Sequence, residues 1–383
     1  MKTGLPDTID MISQLIATPS VSCFHADLDM SNRAVIDLLA NWMESRGFNT
    51  EIQAVTESKF NLVATAGSGS DGLVLSGHTD TVPYNANLWQ SDPFKLDHRD
   101  DRLYGLGSCD MKSFLALALH ASEQFDLQKL ARPLTIVATA DEESTMSGAR
   151  LIADNGRKLG SYCVIGEPTS LQPIRQHKGV LSIAIQFNGR SGHASDPSLG
   201  NSALEGMHEF IGTLLLYRDG LQQQYRDPAF VIPTPTMNLG HIHGGDNSNR
   251  ICGDCKLLID IRYLPGMSIE NLLNDITELA ARVSDDRGLD SSCEIIGEGL
   301  PAMDTSAASE IAEYLKYLTG KAASSVSFGT EAPYYNRMET ETIIIGPGSI
   351  DQAHQPNEFL PVDQIDPTIQ MLENLINRFC MPA

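Results

Sequence analysis

The residues able to do chemistry in this chain sit where apolar runs end. Leu73-Val-Leu-Ser-Gly-His78-Thr-Asp80 sets a histidine and an aspartate two apart just past such a run, and Gly105-Leu-Gly-Ser-Cys-Asp110-Met-Lys112 sets an aspartate before a predicted helix. Ile136-Val-Ala-Thr-Ala-Asp141-Glu142-Glu143 ends a run in three acids, Val164-Ile-Gly-Glu167-Pro168 ends another in one, and Gly346-Pro-Gly348-Ser-Ile-Asp-Gln-Ala-His354 adds a loop histidine. Taken singly, an aspartate before a helix is an N-cap and an acid after a strand is a solvated loop residue. Jointly they mean more, because the carboxyl ends of parallel strands converge on one crevice in an open α/β sheet. Carboxylates crowded there repel one another unless protonated or neutralised by a cation. Two histidines with several carboxylates form a nitrogen–oxygen ligand set suited to Zn²⁺, Co²⁺ or Mn²⁺. Five ligand candidates with acids to spare fit two ions sharing a carboxylate, at the ~3.5–4 Å spacing of two-metal hydrolases.

The elements that must position these residues alternate up to residue 179. A helix is expected over 31–46, with Ser31 as its N-cap and Gly47 as its stop. Short, nearly continuous apolar runs at 60–66, 73–77, 134–140 and 162–166 read as strands covered on both faces, with a helix over 112–125 between two of them. That alternation predicts a layered α/β domain. From His177 the order changes to strand 179–187, helix 202–217, strand 236–243, strand 251–261, helix 269–283 and strand 292–297. This is the β-α-β-β-α-β succession of a ferredoxin-like unit. Segments 307–319, 340–345 and 365–379 then return to helix, strand and helix. The expected architecture is an α/β catalytic domain (1–179 and 291–383) interrupted by an inserted ferredoxin-like domain (180–290).

Composition narrows the function. Lys and Arg number 27 against 49 Asp and Glu, a net charge of −22 over 383 residues. Such a charge repels phosphate backbones and anionic lipid, so neither a nucleic-acid partner nor a membrane partner is expected. The first residues carry no apolar signal core, and no run approaches about 18 apolar residues, so a cytoplasmic protein is expected. The seven cysteines are scattered as in reduced thiol proteins, and Cys252-x-x-Cys255 lacks the second pair that a zinc or redox motif would need. Gly67-Ser-Gly-Ser-Asp-Gly72 matches a dinucleotide fingerprint in letters only: a strand follows it where a helix would be required, so a hairpin turn is expected. Neither HExxH nor GxSxG occurs.

The motifs GHTDTVP (77–83), GLGSCDMK (105–112), ATADEE (138–143), IGEPT (165–169) and SGHASDP (191–197), in this order along the whole chain, resemble the metallopeptidase family of aminoacylases, carboxypeptidases and succinyl-diaminopimelate desuccinylase. HKG (177–179), GGDNSNRIC (244–252), DIRYLPGM (260–267), TEAP (330–333) and GPGSIDQAHQPNE (346–358) are similar, within that family, to the branch acting on N²-acetyl-L-ornithine. The resemblance implies a zinc-peptidase-like catalytic domain holding two Zn²⁺ per subunit, with Co²⁺ as substitute. It assigns one ion to His78 and Glu167, the other to Glu143 and His354, with Asp110 bridging both. It makes Glu142 the general base, Asp80 the acid that orients His78, and the Asp110–Met111 peptide cis.

By the same resemblance the inserted domain carries a homodimer, and His193 reaches into the neighbouring subunit's site to help hold the oxyanion. Asn249 and Arg262 match residues that bind the substrate α-carboxylate, with a sheet-surface arginine paired with Asp260 as the alternative for Arg262. Glu331 is the expected reader of a δ-ammonium, with a helix-cap or turn role as its alternative. The implied reaction is hydrolysis of N²-acetyl-L-ornithine to L-ornithine and acetate, a step of arginine biosynthesis. A desuccinylase or a broader N-acyl-amino-acid amidohydrolase is the alternative, and a catalytically silent binding protein would have lost Glu142 or a ligand.

Overall fold

The computed structural model describes residues 5–382, and its backbone forms two compact units. The larger comprises the chain through Arg175, Thr305–Ser324 and the chain from Thr330 onward; the smaller comprises Gln176–Asp304 and Ser325–Gly329.

The larger unit is built on a mixed sheet. Its strands run in the order Asn49–Ala54, Phe60–Ala66, Leu134–Thr139, Leu73–His78, Tyr162–Ile165 and Glu341–Ile344. The last four are mutually parallel, and Phe60–Ala66 is antiparallel to both its neighbours. Every residue of Leu73–His78 and of Leu134–Thr139 is buried, which is why these segments read as unbroken apolar runs. Leu73, Leu75, Leu134, Ile136 and Ala138 join a core with helices Thr8–Ile16, Arg33–Arg46, Lys112–Ala121, Glu310–Thr319 and Ile365–Cys380. On the opposite face Ser76 Oγ meets the Tyr335 hydroxyl at 2.7 Å, and helices Ser147–Asp154 and Ala332–Arg337 pack together.

The Gly67–Gly72 segment does not close a hairpin. Strand Leu134–Thr139 lies between Phe60–Ala66 and Leu73–His78, so the turn steps over a neighbour that arrives later in the chain. The close approach there requires glycine: a Cβ on Gly72 would lie 1.8 Å from the Pro133 carbonyl oxygen, while Leu73 N–H donates to that same oxygen at 3.1 Å. Helix Arg33–Arg46 likewise starts two residues later than expected, with Asn32 rather than Ser31 at the cap position. The Asn32 amide is occupied by Phe60 O and Thr79 Oγ1, both at 2.8 Å, and Ser31 Oγ donates to Ser58 O. Gly47 does end the helix, at φ 105°.

The smaller unit is an antiparallel four-stranded sheet in the order Thr236–Gly244, Asp254–Tyr263, Gly179–Asn188, Asp290–Ile295. Helices Ala203–Gln224 and Ile269–Arg287 pack on it around Ile183, Ile185, Phe210, Leu257, Ile259 and Ile276. Numbered along the unit, the strand order is 2-3-1-4, the ferredoxin-like arrangement. The third strand begins at Asp254 rather than 251 because the preceding backbone is already committed: Ile251 N–H donates to Gly192 O and Cys252 O accepts from Ala203 N–H.

Candidate metal centre

The three adjacent parallel strands Leu134–Thr139, Leu73–His78 and Tyr162–Ile165 deliver Glu142–Glu143, His78 and Glu167 to one end of the sheet. Asp110 joins them from the turn before helix Lys112–Ala121, and His354, at φ 60°, from the loop after Glu341–Ile344. The Asp110–Met111 peptide is cis.

Asp110 stands between the two histidines. Its Oδ1 lies 3.1 Å from His78 Nε2 and its Oδ2 lies 3.6 Å from His354 Nε2. Glu167 Oε1 faces His78 Nε2 at 4.0 Å, and Glu143 Oε2 faces His354 Nε2 at 2.9 Å. His78, Asp110 and Glu143 bring ligand atoms within 4.8 Å of one another, as do His78, Glu142 and Glu167. Glu143 Oε1 and Glu167 Oε1 are buried with no hydrogen-bond partner among the described residues. Orphaned carboxylate oxygens pointing into a nitrogen–oxygen donor set fit divalent cations.

The electrostatics agree. Burial raises Glu142 and Glu167 well above the ordinary carboxylate range, and each is pushed further by another carboxylate, Glu167 for the first and Asp110 for the second. Burial and the Asp110 charge raise Glu143. Burial works against a charged His78 ring, but the Asp110 hydrogen bond and the charges of Glu167, Asp80 and Glu142 outweigh it and raise the ring well above its usual value. Asp110 is lowered, its burial overcome by the His78 hydrogen bond and charge. Without cations, protons must do the work of neutralisation here.

Asp80 is fully enclosed, and its carboxylate does something the sequence did not indicate. It accepts the backbone N–H groups of Glu142 (3.2 Å) and Glu143 (3.0 Å), while His78 Nδ1 sits 2.9 Å from the Asp80 backbone carbonyl. Two further buried groups went unassigned in the sequence. Lys59 Nζ donates to Asp29 Oδ1 at 2.6 Å and lies 3.0 Å from Asp141 Oδ1, anchoring the residue before Glu142. Glu358 accepts three backbone N–H groups from the Gly107–Asp110 turn. Burial pushes Glu358 up to about 8, with the Asp110 charge adding to the rise. Nothing marks Lys59 in sequence; Glu358 ends the last quoted motif.

Glu331 occupies the cap position of Ala332–Arg337 but makes no side-chain cap bond. It is 1 % exposed, neither carboxylate oxygen has hydrogen-bond geometry to a partner among the described residues, and burial raises it to about 7 against the opposing pull of the Thr139 hydroxyl and His78. In the smaller unit, exposed His193 and Asn249 are neighbours: Ala194 N–H donates to Asn249 O at 2.9 Å, and His193 bridges to Arg250. His193 Nδ1 meets Ser195 Oγ at 2.7 Å. Arg262 lies on strand Asp254–Tyr263 with its Nε 2.8 Å from Asp260 Oδ1.

Comparison with known proteins agrees with the fold. The chain is 48 % identical over 383 residues to an acetylornithine deacetylase of Proteus mirabilis, covering all of this chain and 99 % of that protein. It is 47 % identical over 386 residues to one from Edwardsiella ictaluri, covering 99 % of this chain and all of that one. Its fold matches a tripeptidase of Staphylococcus aureus at a TM-score of 0.75 and 19 % identity, over 96 % of each chain. A metallo-carboxypeptidase of Sulfolobus solfataricus matches at 0.74 and 17 %, over 97 % of this chain and 99 % of that one. Residues 74–378, which span every strand end that carries a candidate ligand, match the model of peptidase family M20/M25/M40, and with the full-length identities this establishes that the chain belongs to that family.

Proposed function

We propose that this protein hydrolyses N²-acetyl-L-ornithine to L-ornithine and acetate, a step of arginine biosynthesis in the cytoplasm. The observation that carries the reading is the 48 % identity, end to end, with a protein of that activity. The centre would take two Zn²⁺ per subunit, with Co²⁺ able to substitute. His78 and Glu167 would hold one, Glu143 and His354 the other, and Asp110, whose two oxygens face the two histidines, would serve both. Bound there, divalent cations acidify water and polarise an amide carbonyl.

The chain's own residues do the rest. Glu142 accepts the proton of the attacking water as its oxygen adds to the acetyl carbon, then gives that proton to the α-nitrogen as the C–N bond breaks. Asp80 holds the Glu142 amide and so aims the base. The Arg262 Nη nitrogens have no partner among the described residues and are available to a substrate α-carboxylate together with Asn249. Glu331, a buried carboxylate whose oxygens find no well-aligned hydrogen-bond donor among the described residues, would be satisfied by a δ-ammonium. The protein would be a homodimer through its smaller unit, with His193 donating to the oxyanion of the neighbouring subunit's substrate. The edge strand Thr236–Gly244 and exposed Leu204, Leu216 and Ile242 on that unit support the dimer.

A substrate panel tests the reading. Acetylornithine should be preferred over acetylmethionine and succinyl-diaminopimelate with Zn²⁺ or Co²⁺ supplied; faster turnover of the succinyl substrate would replace it.

A further inference from the structure

Glu358 lies four residues beyond His354 and directly before the strand Phe359–Pro361, which pairs antiparallel with Arg102–Tyr104. Its side chain is buried, at 1 % exposure. Oε1 accepts the backbone N–H groups of Cys109 at 2.7 Å and Asp110 at 2.9 Å, and Oε2 accepts that of Gly107 at 3.1 Å. Its carbonyl oxygen accepts Gly105 N–H at 3.1 Å and Ser108 Oγ at 3.5 Å. One residue therefore gathers most of the backbone donors of the turn that presents Asp110. Gly107 lies at φ 80°, which bends that turn so that its N–H groups converge on an anion.

A carboxylate is a costly filler beside Asp110, since like charges in a buried setting repel. An apolar side chain would fill the space without that cost but would leave the convergent N–H groups unpaired. Only a carboxylate offers enough acceptor sites for three convergent N–H groups; a glutamine in the same place would set its own N–H₂ against at least one of them. The three convergent N–H bonds hold the Asp110 turn, and the same residue is continuous with the loop carrying His354.

We propose that Glu358 is a positioning residue that locks the Asp110 turn to the His354 loop, so that the two side chains meet a cation in fixed register. This rests on the reading of Asp110 and His354 as metal ligands.

Titration of the metal-free protein with Zn²⁺ by calorimetry, and with Co²⁺ by visible absorption, tests it. Glu358→Gln should bind about 10- to 100-fold more weakly and alter the Co²⁺ spectrum, the usual cost of removing a group that orients a ligand, while far-ultraviolet circular dichroism stays as in the parent. Glu358→Asp, which keeps the carboxyl but shortens the reach, should fall between the two. A Glu358→Gln protein that titrates like the parent overturns the proposal. So does failure of both variants to fold, since Glu358 would then serve the chain rather than the centre. Asp110→Asn separates the two readings: if it too binds metal like the parent, the ligand assignment has failed; if it alone loses metal, only the role of Glu358 has.

Discussion

His78 Nδ1 lies 2.9 Å from the backbone carbonyl oxygen of Asp80 and 3.8 Å from its carboxylate. The carbonyl accepts the Nδ1 proton while Nε2 donates to the Asp110 carboxylate; a cation taking the place of the Nε2 proton would leave the neutral ring with its tautomer set by main chain. The Asp80 side chain is thereby free for a different task, receiving the amides of Glu142 and Glu143.

That division predicts the behaviour of Asp80→Asn. The carbonyl stays, so the His78 tautomer should persist and the affinity for the ion at His78 should change little. The new side-chain N–H₂ faces a backbone N–H, so the Glu142–Glu143 turn should shift and kcat should fall by about 10- to 100-fold. Kinetics alongside zinc stoichiometry check this; loss of the His78-bound ion at unchanged kcat per bound metal would return Asp80 to the simpler role of orienting the imidazole.

Glu142 and Glu143 are adjacent, and both come near enough to His78 to belong to a ligand cluster. Their proposed roles separate on substitution. Glu142→Gln should lower kcat by at least about 100-fold, as expected for removal of a general base, with metal content near that of the parent. Asp110→Ala should instead deplete both ions. Elemental analysis of the purified variants decides; an ion missing from Glu142→Gln would reverse the assignment of the two glutamates.

Glu331 links stability to pH in a definite direction. Its carboxyl is raised from 4.5 to about 7 by burial, so between those values the native chain holds a proton that the unfolded chain has released. The stability this group contributes is therefore complete below about pH 4.5 and is lost as pH rises towards 7. Glu331→Gln, which stays neutral, should leave the metal-free protein more stable than the parent above pH 7 by up to about 3 kcal/mol, the gap closing by about pH 4.5. Chemical denaturation across that range measures it. The same variant should slow acetylornithine hydrolysis and spare acetylmethionine; equal losses would place the δ-ammonium elsewhere.

The strand ends and their acids were legible because fully buried parallel strands leave long apolar runs, and the polar residues that interrupt them mark the mouth of the sheet. The ferredoxin-like unit was legible from the change in element order at His177. Three things were not. The Gly67–Gly72 crossover depends on Pro133, 61 residues beyond Gly72, so local turn chemistry pointed to a hairpin. The carboxylates of Asp80 and Glu358 act on backbone N–H groups, and main-chain donors have no letter in a sequence. Lys59 meets Asp141 across 82 residues, at 3.0 Å, with no motif around it.

His193 is exposed and paired with Ser195 on a unit whose strand Thr236–Gly244 forms a sheet edge. If two copies associate through that unit and His193 serves the neighbour's substrate, His193→Ala and Glu142→Gln are each inactive for reasons located in different subunits. Co-expressed, they form mixed dimers in which one site pairs an intact Glu142 with an intact His193 and the other site lacks both. Random pairing makes about half of the dimers mixed, each with one competent site, so the mixture should recover about a quarter of the parent activity. A His193 acting within its own subunit would recover none. Sedimentation showing an active monomer at assay concentration would remove the dimer and the shared site together.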